Sequence, residues 1–476
     1  MNRMEEYKDL LNELEHLTET VDTSEEVVDR VVDRRLEGTY ARAVARRKRK
    51  NLVLNPLIGF AASFALFVIL VNFSTTVADA CSQIPVLRDL VEAVTFSPSL
   101  EDAVDNEYAQ PMNIFDQDGE VSGKVEYLIV DRKQVNIFFR LYSDKYEQLT
   151  VDPEIEEVNG ADIGSTACAM NSFDISNGEL WSVTFDFVDG NVPDRMKFKL
   201  AVRNIGYLLD ENYVMTEEEM EEEMFNPSEP SEEEYVAHLE FDLEFDPYFT
   251  EKGEQIEVNR IVELEDQEIS IDEVEIYPTH MRVNVSGMKE NTAWLRRLDF
   301  YVLTDKGEQF EPVKEGITST GTIGTNTISY RADSTYFHEA EELKLIITGA
   351  EWLDKDMERI YVNLKTKETG KMPAGVELYS TKEKNKGWIV GFKIKHRKED
   401  HYHQIVMNEY YDKDGTEYSF NSWSTGMQVD EWSKEENKEY YLSEIRLTGY
   451  HQDEVWLSPA YSHEWKAEKE VVVKVK

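Results

Sequence analysis

Trp181-Ser182-Val183-Thr184-Phe185-Asp186-Phe187 sets four large apolar side chains on one face of an extended chain and Ser182, Thr184 and Asp186 on the other. Side chains alternate across a strand, so a period of two predicts a half-buried β-strand. The pattern returns in Met196, Phe198, Leu200 and Val202, and again in Leu239, Phe241, Leu243 and Phe245 interleaved with Glu240, Asp242 and Glu244. Strands of this kind, bounded by turns at short spacing, predict β-sandwiches.

Further along, strand and turn recur in the same order. Leu298-Asp299-Phe300-Tyr301 leads into Thr304-Asp305-Lys306-Gly307-Glu308, and Val406-Met407-Asn408-Glu409-Tyr410 leads into Asp412-Lys413-Asp414-Gly415-Thr416. Leu343 to Gly349, ending Thr348-Gly349, and Ile445 to Gly449, ending Thr448-Gly449, follow at matching places. Such a repeat predicts two successive sandwiches, 254–369 and 370–476, after a first at 111–253 whose turn Asp116-Gln117-Asp118-Gly119 looks alike. The first carries an acidic insert at 209–235. Ten glutamates lie between Glu217 and Glu234, with Pro227 and Pro230 among them, the composition of a solvated loop.

Upstream of the strands, residues 51–78 hold no charged side chain. Their apolar heart runs from Leu52 to Phe73, about 33 Å as a helix, enough for a hydrocarbon core of about 30 Å. Arg46-Arg47-Lys48-Arg49-Lys50 precedes it and nothing basic follows until Arg88, which predicts one transmembrane helix with the N-terminus in the cytosol and the C-terminal bulk outside the cell membrane. Ala78-Asp79-Ala80 offers an A-x-A cleavage pattern, but the preceding segment is far longer than a signal peptide's n-region, so an uncleaved anchor is expected. Residues 79–110 read as a stalk, with a short helix at Leu87, Leu90, Val91 and Val94.

The cytosolic segment, 1–50, reads as α-helical. Leu10, Leu11, Leu14 and Leu17 recur at helical spacing, and Thr23 with Glu26 fits a capping box ahead of Val27, Val28, Val31, Val32 and Leu36. So short a segment rarely buries its own apolar stripe, so Leu10, Leu14, Leu17, Val28, Val31, Val32 and Leu36 are expected either to dock on a partner or to pair within a hairpin or dimer. Arg46, Arg47, Lys48, Arg49 and Lys50 are expected on anionic headgroups. The expected fold class is therefore mainly β: tandem immunoglobulin-like antiparallel sandwiches in the exported region, an N-terminal helical segment and one transmembrane helix.

The 476 residues carry a formal charge of −45, yet residues 1–50 hold 11 Lys/Arg and 12 Asp/Glu. Nearly all the acidity is therefore exported, where it repels phosphate and disfavours nucleic acid. Cys81 and Cys168 are the two cysteines, and pairing or two separate thiols are both open. No nucleophile elbow, zinc-protease motif, P-loop or dinucleotide fingerprint occurs, so neither an enzyme nor a cofactor is implied. His401 and His403, with His396 nearby, lack a third metal ligand at a known spacing, and a polar hairpin is the expected reading.

In its order of parts the chain resembles the Firmicutes membrane proteins with a DUF4179 domain. Val21-Asp22-Thr23-Ser24-Glu25-Glu26-Val27, the basic cluster with its apolar run, Ile84-Pro85-Val86-Leu87 continuing to Ala103-Val104, and the strands ending near Asp246 carry the resemblance. Ile269 to Leu364, with Ile276-Tyr277-Pro278-Thr279, is similar to the DUF5643 module. The resemblance implies an anti-sigma-factor-like regulator whose cytosolic helices hold an extracytoplasmic-function sigma factor while the exported part senses an envelope condition. A cell-surface adhesion protein that binds wall polymer or another extracellular ligand is the alternative. Residues 1–50 contain no cysteine, so the zinc cluster of one anti-sigma class is missing.

Overall fold

The computed structural model describes residues 86–476 except 158–162, 171–174, 206–233, 315, 322–326, 396–404, 420–422 and 425–439. The predicted cytosolic helices, Leu10 to Leu36 with their apolar stripe, Arg46 to Lys50, the apolar run, His396, His401, His403 and most of the acidic insert lie outside these residues. Among the described residues no helix is long and apolar enough to cross a membrane. The chain divides into two compact units, Met1–Glu92 and Ala93–Lys476. Helix α1 (Val86–Ala93) occupies the place where the leucine and valine spacing predicts one.

The second unit is mainly β. After α2 (Pro98–Asp105) come β1 (Gln110–Asp118), β2 (Val121–Val130), β3 (Gln134–Tyr142), β4 (Gln148–Glu157), β5 (Thr166–Met170), β6 (Ile175–Ser176), β7 (Trp181–Phe187), β8 (Arg195–Asn204) and β9 (Tyr235–Glu244). The turn α3 (Pro247–Thr250) leads to β10 (Glu254–Leu264), β11 (Gln267–Ile276), β12 (Met281–Gly287), β13 (Ala293–Thr304), β14 (Gln309–Phe310), β15 (Ser319–Gly321), β16 (Thr327–Ala332) and β17 (Leu343–Asp354). The remainder is β18 (Ile360–Asn363), β19 (Val376–Lys384), β20 (Gly387–Lys395), β21 (Val406–Tyr411), β22 (Glu417–Ser419), β23 (Trp423–Ser424), β24 (Tyr440–Thr448), β25 (Glu454–Pro459) and β26 (His463–Lys474).

These strands form six antiparallel sheets, packed in pairs over three apolar cores. In the first sandwich β1-β2-β3-β7-β5 faces β6-β4-β8-β9, and Phe139, Phe185, Phe198 and Phe241 meet between them. Phe198 stacks on Phe241 at 5.9 Å and takes the edges of Phe139 and Phe185 at 6.0 and 6.2 Å, the offset geometry that ring quadrupoles favour. In the second, β10-β11-β12-β16-β15 faces β14-β13-β17-β26 around Trp352, Phe300 and Leu345. In the third, β19-β20-β24-β23 faces β18-β25-β21-β22 around Phe392, Tyr410 and Tyr450. At the first sandwich's margin, Asp116 and Asp118 on β1 accept the Glu240 and His238 amides at 2.8 Å, so part of the β9 edge is capped by side chains.

The first two sandwiches repeat each other in detail. Asn113 and Asn259 sit at equivalent bulges with φ of 54° and 47°. The next strand pair breaks register between Val125 and Tyr127 in one and between Ile271 and Glu273 in the other. The hairpin tips Asp131–Gln134 and Tyr277–His280 correspond as well, each closed by an amide-to-carbonyl bond of 2.9 Å.

Half of the repeat expected between the last two sandwiches holds. β13 and β21 each turn into a short partner strand through an Asp/Gly hairpin, with Gly307 and Gly415 at φ of 79° and 83°. The Thr-Gly half does not. β17 lies beside β13, whereas β24 lies beside β20 in the opposite sheet. The register breaks at Thr348, just ahead of a paired Gly349 inside its strand, while Gly449 follows the end of its strand at φ 67°, so the shared dipeptide serves two geometries. Asp116–Gly119 is a third case, the β1–β2 hairpin. The sheets also do not divide at residue 369: β18 pairs with β25, and β26 pairs with β17.

Candidate functional site

The first and second sandwiches meet through buried charge. Asp186, on the face of β7 that alternation assigns to solvent, is fully buried, and so is Asp131 at the β2–β3 tip. Facing them from the second sandwich are Thr279 and His280 at the β11–β12 tip, Arg282 on β12 and Arg331 on β16, all buried.

Arg331 grips Asp186 with both prongs of its fork: Nε donates to Oδ2 at 2.9 Å and Nη2 to Oδ1 at 2.8 Å. Its remaining donors go to the Ser329 carbonyl and hydroxyl and to Thr320 Oγ1, at 2.9, 2.7 and 3.0 Å. Arg282 Nη2 adds bonds to Asp186 Oδ1 and the Phe187 carbonyl at 3.0 and 3.1 Å. Asp131 Oδ1 accepts the Lys133 and Gln134 amides at 2.8 and 2.9 Å, while Oδ2 accepts the Thr279 hydroxyl and amide at 2.5 and 3.1 Å. Two buried carboxylates thus face two buried guanidinium groups, each hydrogen-bonded, the condition under which buried charge is tolerated.

His280 completes the set. Arg282 Nε donates to its Nε2 at 3.1 Å, so that nitrogen is an acceptor and the proton sits on Nδ1, 2.9 Å from Thr279 Oγ1. Burial pushes the imidazole below its ordinary value; Asp131 opposes this, Arg282 reinforces it, and the ring stays neutral. Burial alone raises Asp186, but the Arg331 hydrogen bonds and charge outweigh it and hold the carboxyl below the usual range. Burial is likewise overcome at Asp131, where His280, Thr279 and the Lys133 amide leave the carboxyl lowered. Both carboxylates and both guanidinium groups spend their hydrogen bonds inside the cluster and on neighbouring backbone. The arrangement acts as a joint and presents no poised acid or base.

A second contact flanks it. Ser97 caps α2 and Pro98 opens it, which suits a position with no amide to satisfy. The helix lies against the segment after β16: the Ser334 amide donates to Ser99 Oγ at 2.8 Å, and Asp102 meets His338 Nε2 at 2.9 Å. His338 Nδ1 lies 3.3 Å from Glu308. Tyr108 packs edge-on against Phe249 and Phe337 at 4.9 and 5.7 Å, and its hydroxyl donates to the Phe249 carbonyl at 2.8 Å. Burial pushes the Asp333 carboxyl up to about 6, against the Ser99 hydrogen bond. Part of the expected stalk is therefore folded onto the second sandwich. Gly253 sits between the two sandwiches at φ 144°, and a Cβ there would lie 2.5 Å from the Tyr277 ring.

The joint residues escape a sequence reading. Asp186 shares its face with Ser182 and Thr184, which look like solvent positions, and the arginines that meet Asp186 come from a neighbouring sandwich. The repeat of the first two sandwiches, which places Tyr277-Pro278-Thr279-His280 where the first has Asp131 to Gln134, is visible in the strand register. Cys168 lies exposed on β5, and Cys81 lies outside the described residues. Among the described residues no three His, Cys, Asp or Glu are grouped to hold a metal ion.

A chain of β-sandwiches, the first two joined through a buried ionic cluster and the last two through strand pairing, is the class of protein this fold defines. Residues 48–143 match the family model DUF4179, a domain of unknown function, and residues 253–382 match DUF5643, a family of unknown function. The chain thus carries both domains that its order of parts resembles. No curated protein matches it. Among solved structures, the conserved domain protein from Bacillus anthracis is similar over 55% of this chain and 84% of that one, at 14% identity and a TM-score of 0.36.

Proposed function

We propose that the chain is a bitopic regulator, anti-sigma-factor-like, that holds an extracytoplasmic-function sigma factor at the cell membrane and releases it when its exported sandwiches meet an envelope signal. The observation that carries the reading is the order of parts: an apolar stripe at helical spacing, a basic cluster, a charge-free run and then an acidic sandwich array. The single DUF4179 match spans the end of the basic cluster from Lys48, the charge-free run and the first strands, which supports treating anchor and sandwich as one working unit. The sheet orders support an immunoglobulin-like reading: in the first sandwich β2-β3-β7-β5 and β4-β8-β9 follow the A-B-E-D and C-F-G arrangement, and in the second β11-β12-β16-β15 and β14-β13-β17-β26 follow A-B-E-D and C′-C-F-G. On this reading Leu10, Leu14, Leu17, Val28, Val31, Val32 and Leu36 meet the sigma factor, and Arg46 to Lys50 lie on lipid. The joint and α2 then tie movement of the second sandwich to the polypeptide just outside the anchor. Residues 1–50 as bait should capture a sigma factor encoded nearby. Capture of none, with unchanged transcription when residues 1–45 are deleted, would return the chain to the class of anchored surface binders.

A further inference from the structure

The three sandwiches share one plan, and that plan sets the last two apart. In the first, β8 runs on into β9, and β9 pairs back with β8 to close the sheet. β17 holds the place of β8 in the second sandwich and β25 holds it in the third. By chain order β17 should be closed by β18, and β25 by β26. The pairings are crossed. β18 lies on β25, from Ile360↔Leu457 to Asn363↔Glu454, and β26 lies on β17, from Lys344↔Lys474 to Trp352↔His463.

Both pairs are antiparallel, like β8 with β9, and the side chains follow the crossing. Val473 and Val475 complete the second core, while Ile360 and Val362 complete the third. Ser462, in the crossing from β25 to β26, is pinned to the end of β17: its amide donates to the Trp352 carbonyl at 2.7 Å, and the Asp354 amide donates to its hydroxyl at 3.0 Å. The DUF5643 match runs through β18 and most of β19 and stops before β26, so the unit in sequence takes in strands of the third sandwich and leaves out the strand that closes the second.

We infer that the second and third sandwiches have exchanged their closing strands and form one interlocked unit, with β26 the latch of the second and β18 the latch of the third. A sheet stripped of its closing strand exposes a row of unpaired amides and carbonyls and the apolar face beneath. Loss of the C-terminal tail therefore opens the second sandwich, whose His280, Arg282 and Arg331 hold the joint to the first, although the tail follows the third in sequence.

Hydrogen exchange of the full chain tests this. Val473→Asp should speed exchange of the β17 amides at least tenfold ahead of β25, and Val362→Asp should do the reverse. Val473→Ala and Val362→Ala give the same pattern more weakly if the aspartates fail to fold. The double variant Lys344→Cys with Lys474→Cys, mildly oxidised, should yield a disulfide joining positions 344 and 474 by peptide mapping. Equal loosening of both strands, with that disulfide formed, also supports an interlocked unit. Absence of the disulfide, or loosening of β25 by Val473→Asp ahead of β17, overturns the exchange.

Discussion

Asp186 holds the ionic cluster together, because three guanidinium hydrogens from two arginines converge on its two oxygens. Asp186→Asn keeps the shape and removes the charge, leaving Arg331 and Arg282 buried without the carboxylate that both hydrogen-bond. The expected cost is about 3–5 kcal/mol, the usual penalty for breaking a buried pair from one side, read as a lowered urea midpoint. Arg331→Lys should not rescue the site, since an ammonium cannot supply the bidentate fork. The pH dependence has a definite sign. The unfolded His280 ring takes up a proton near pH 6.5 while the native ring, lowered by burial, does not, so stability falls as pH drops below about 6.5. Asp131 and Asp186 have lowered native values, so their contribution is complete above the ordinary carboxylate range and is lost at still lower pH. Urea midpoints at pH 7.5, 6 and 5 should decline in the wild type, and His280→Gln should flatten the upper part of that decline. Sequence could not single out these residues: alternation tells which side of a strand a residue takes, and it does not tell whether a second domain covers that side.

At the scale of elements, the segment between apolar run and first strand is more than a spacer. Tyr108 is 4% exposed, and Tyr108→Ala should cost about 3–5 kcal/mol and open residues 95–110 to limited proteolysis. Asp333 works against the joint's pH trend. Its native carboxyl is raised to about 6, so between there and the ordinary carboxylate range the folded state binds the extra proton, and the α2 contact gains stability as pH falls through that window. Gly253→Ala should destabilise by about 1–3 kcal/mol, because the left-handed φ and the Tyr277 ring both resist a Cβ, and a lowered melting temperature checks it. Element existence was legible where it rested on period and turn chemistry: the alternations of β7, β8 and β9, and the Asp/Gly hairpins after β13 and β21. Thr-Gly misled because the dipeptide marks a register break inside one strand and the end of another. The partner of β18 was not legible, since pairing across domains is decided by which apolar edge is left open.

At the scale of the whole molecule, the second sandwich is the hub: it shares an ionic joint with the first, exchanges closing strands with the third and carries α2. On the proposed reading, an envelope signal bound at any of the three would have a covalent or hydrogen-bonded route toward the segment after the charge-free run. The cytosolic stripe is where the account places the output, and it is tested most directly by transcription. If a sigma factor is encoded nearby, Leu14→Asp with Val31→Asp in the full chain should raise expression from its promoters several-fold, at unchanged membrane level of the protein. Unchanged expression, with the variant chain still present in the membrane, would contradict a regulatory role for those helices.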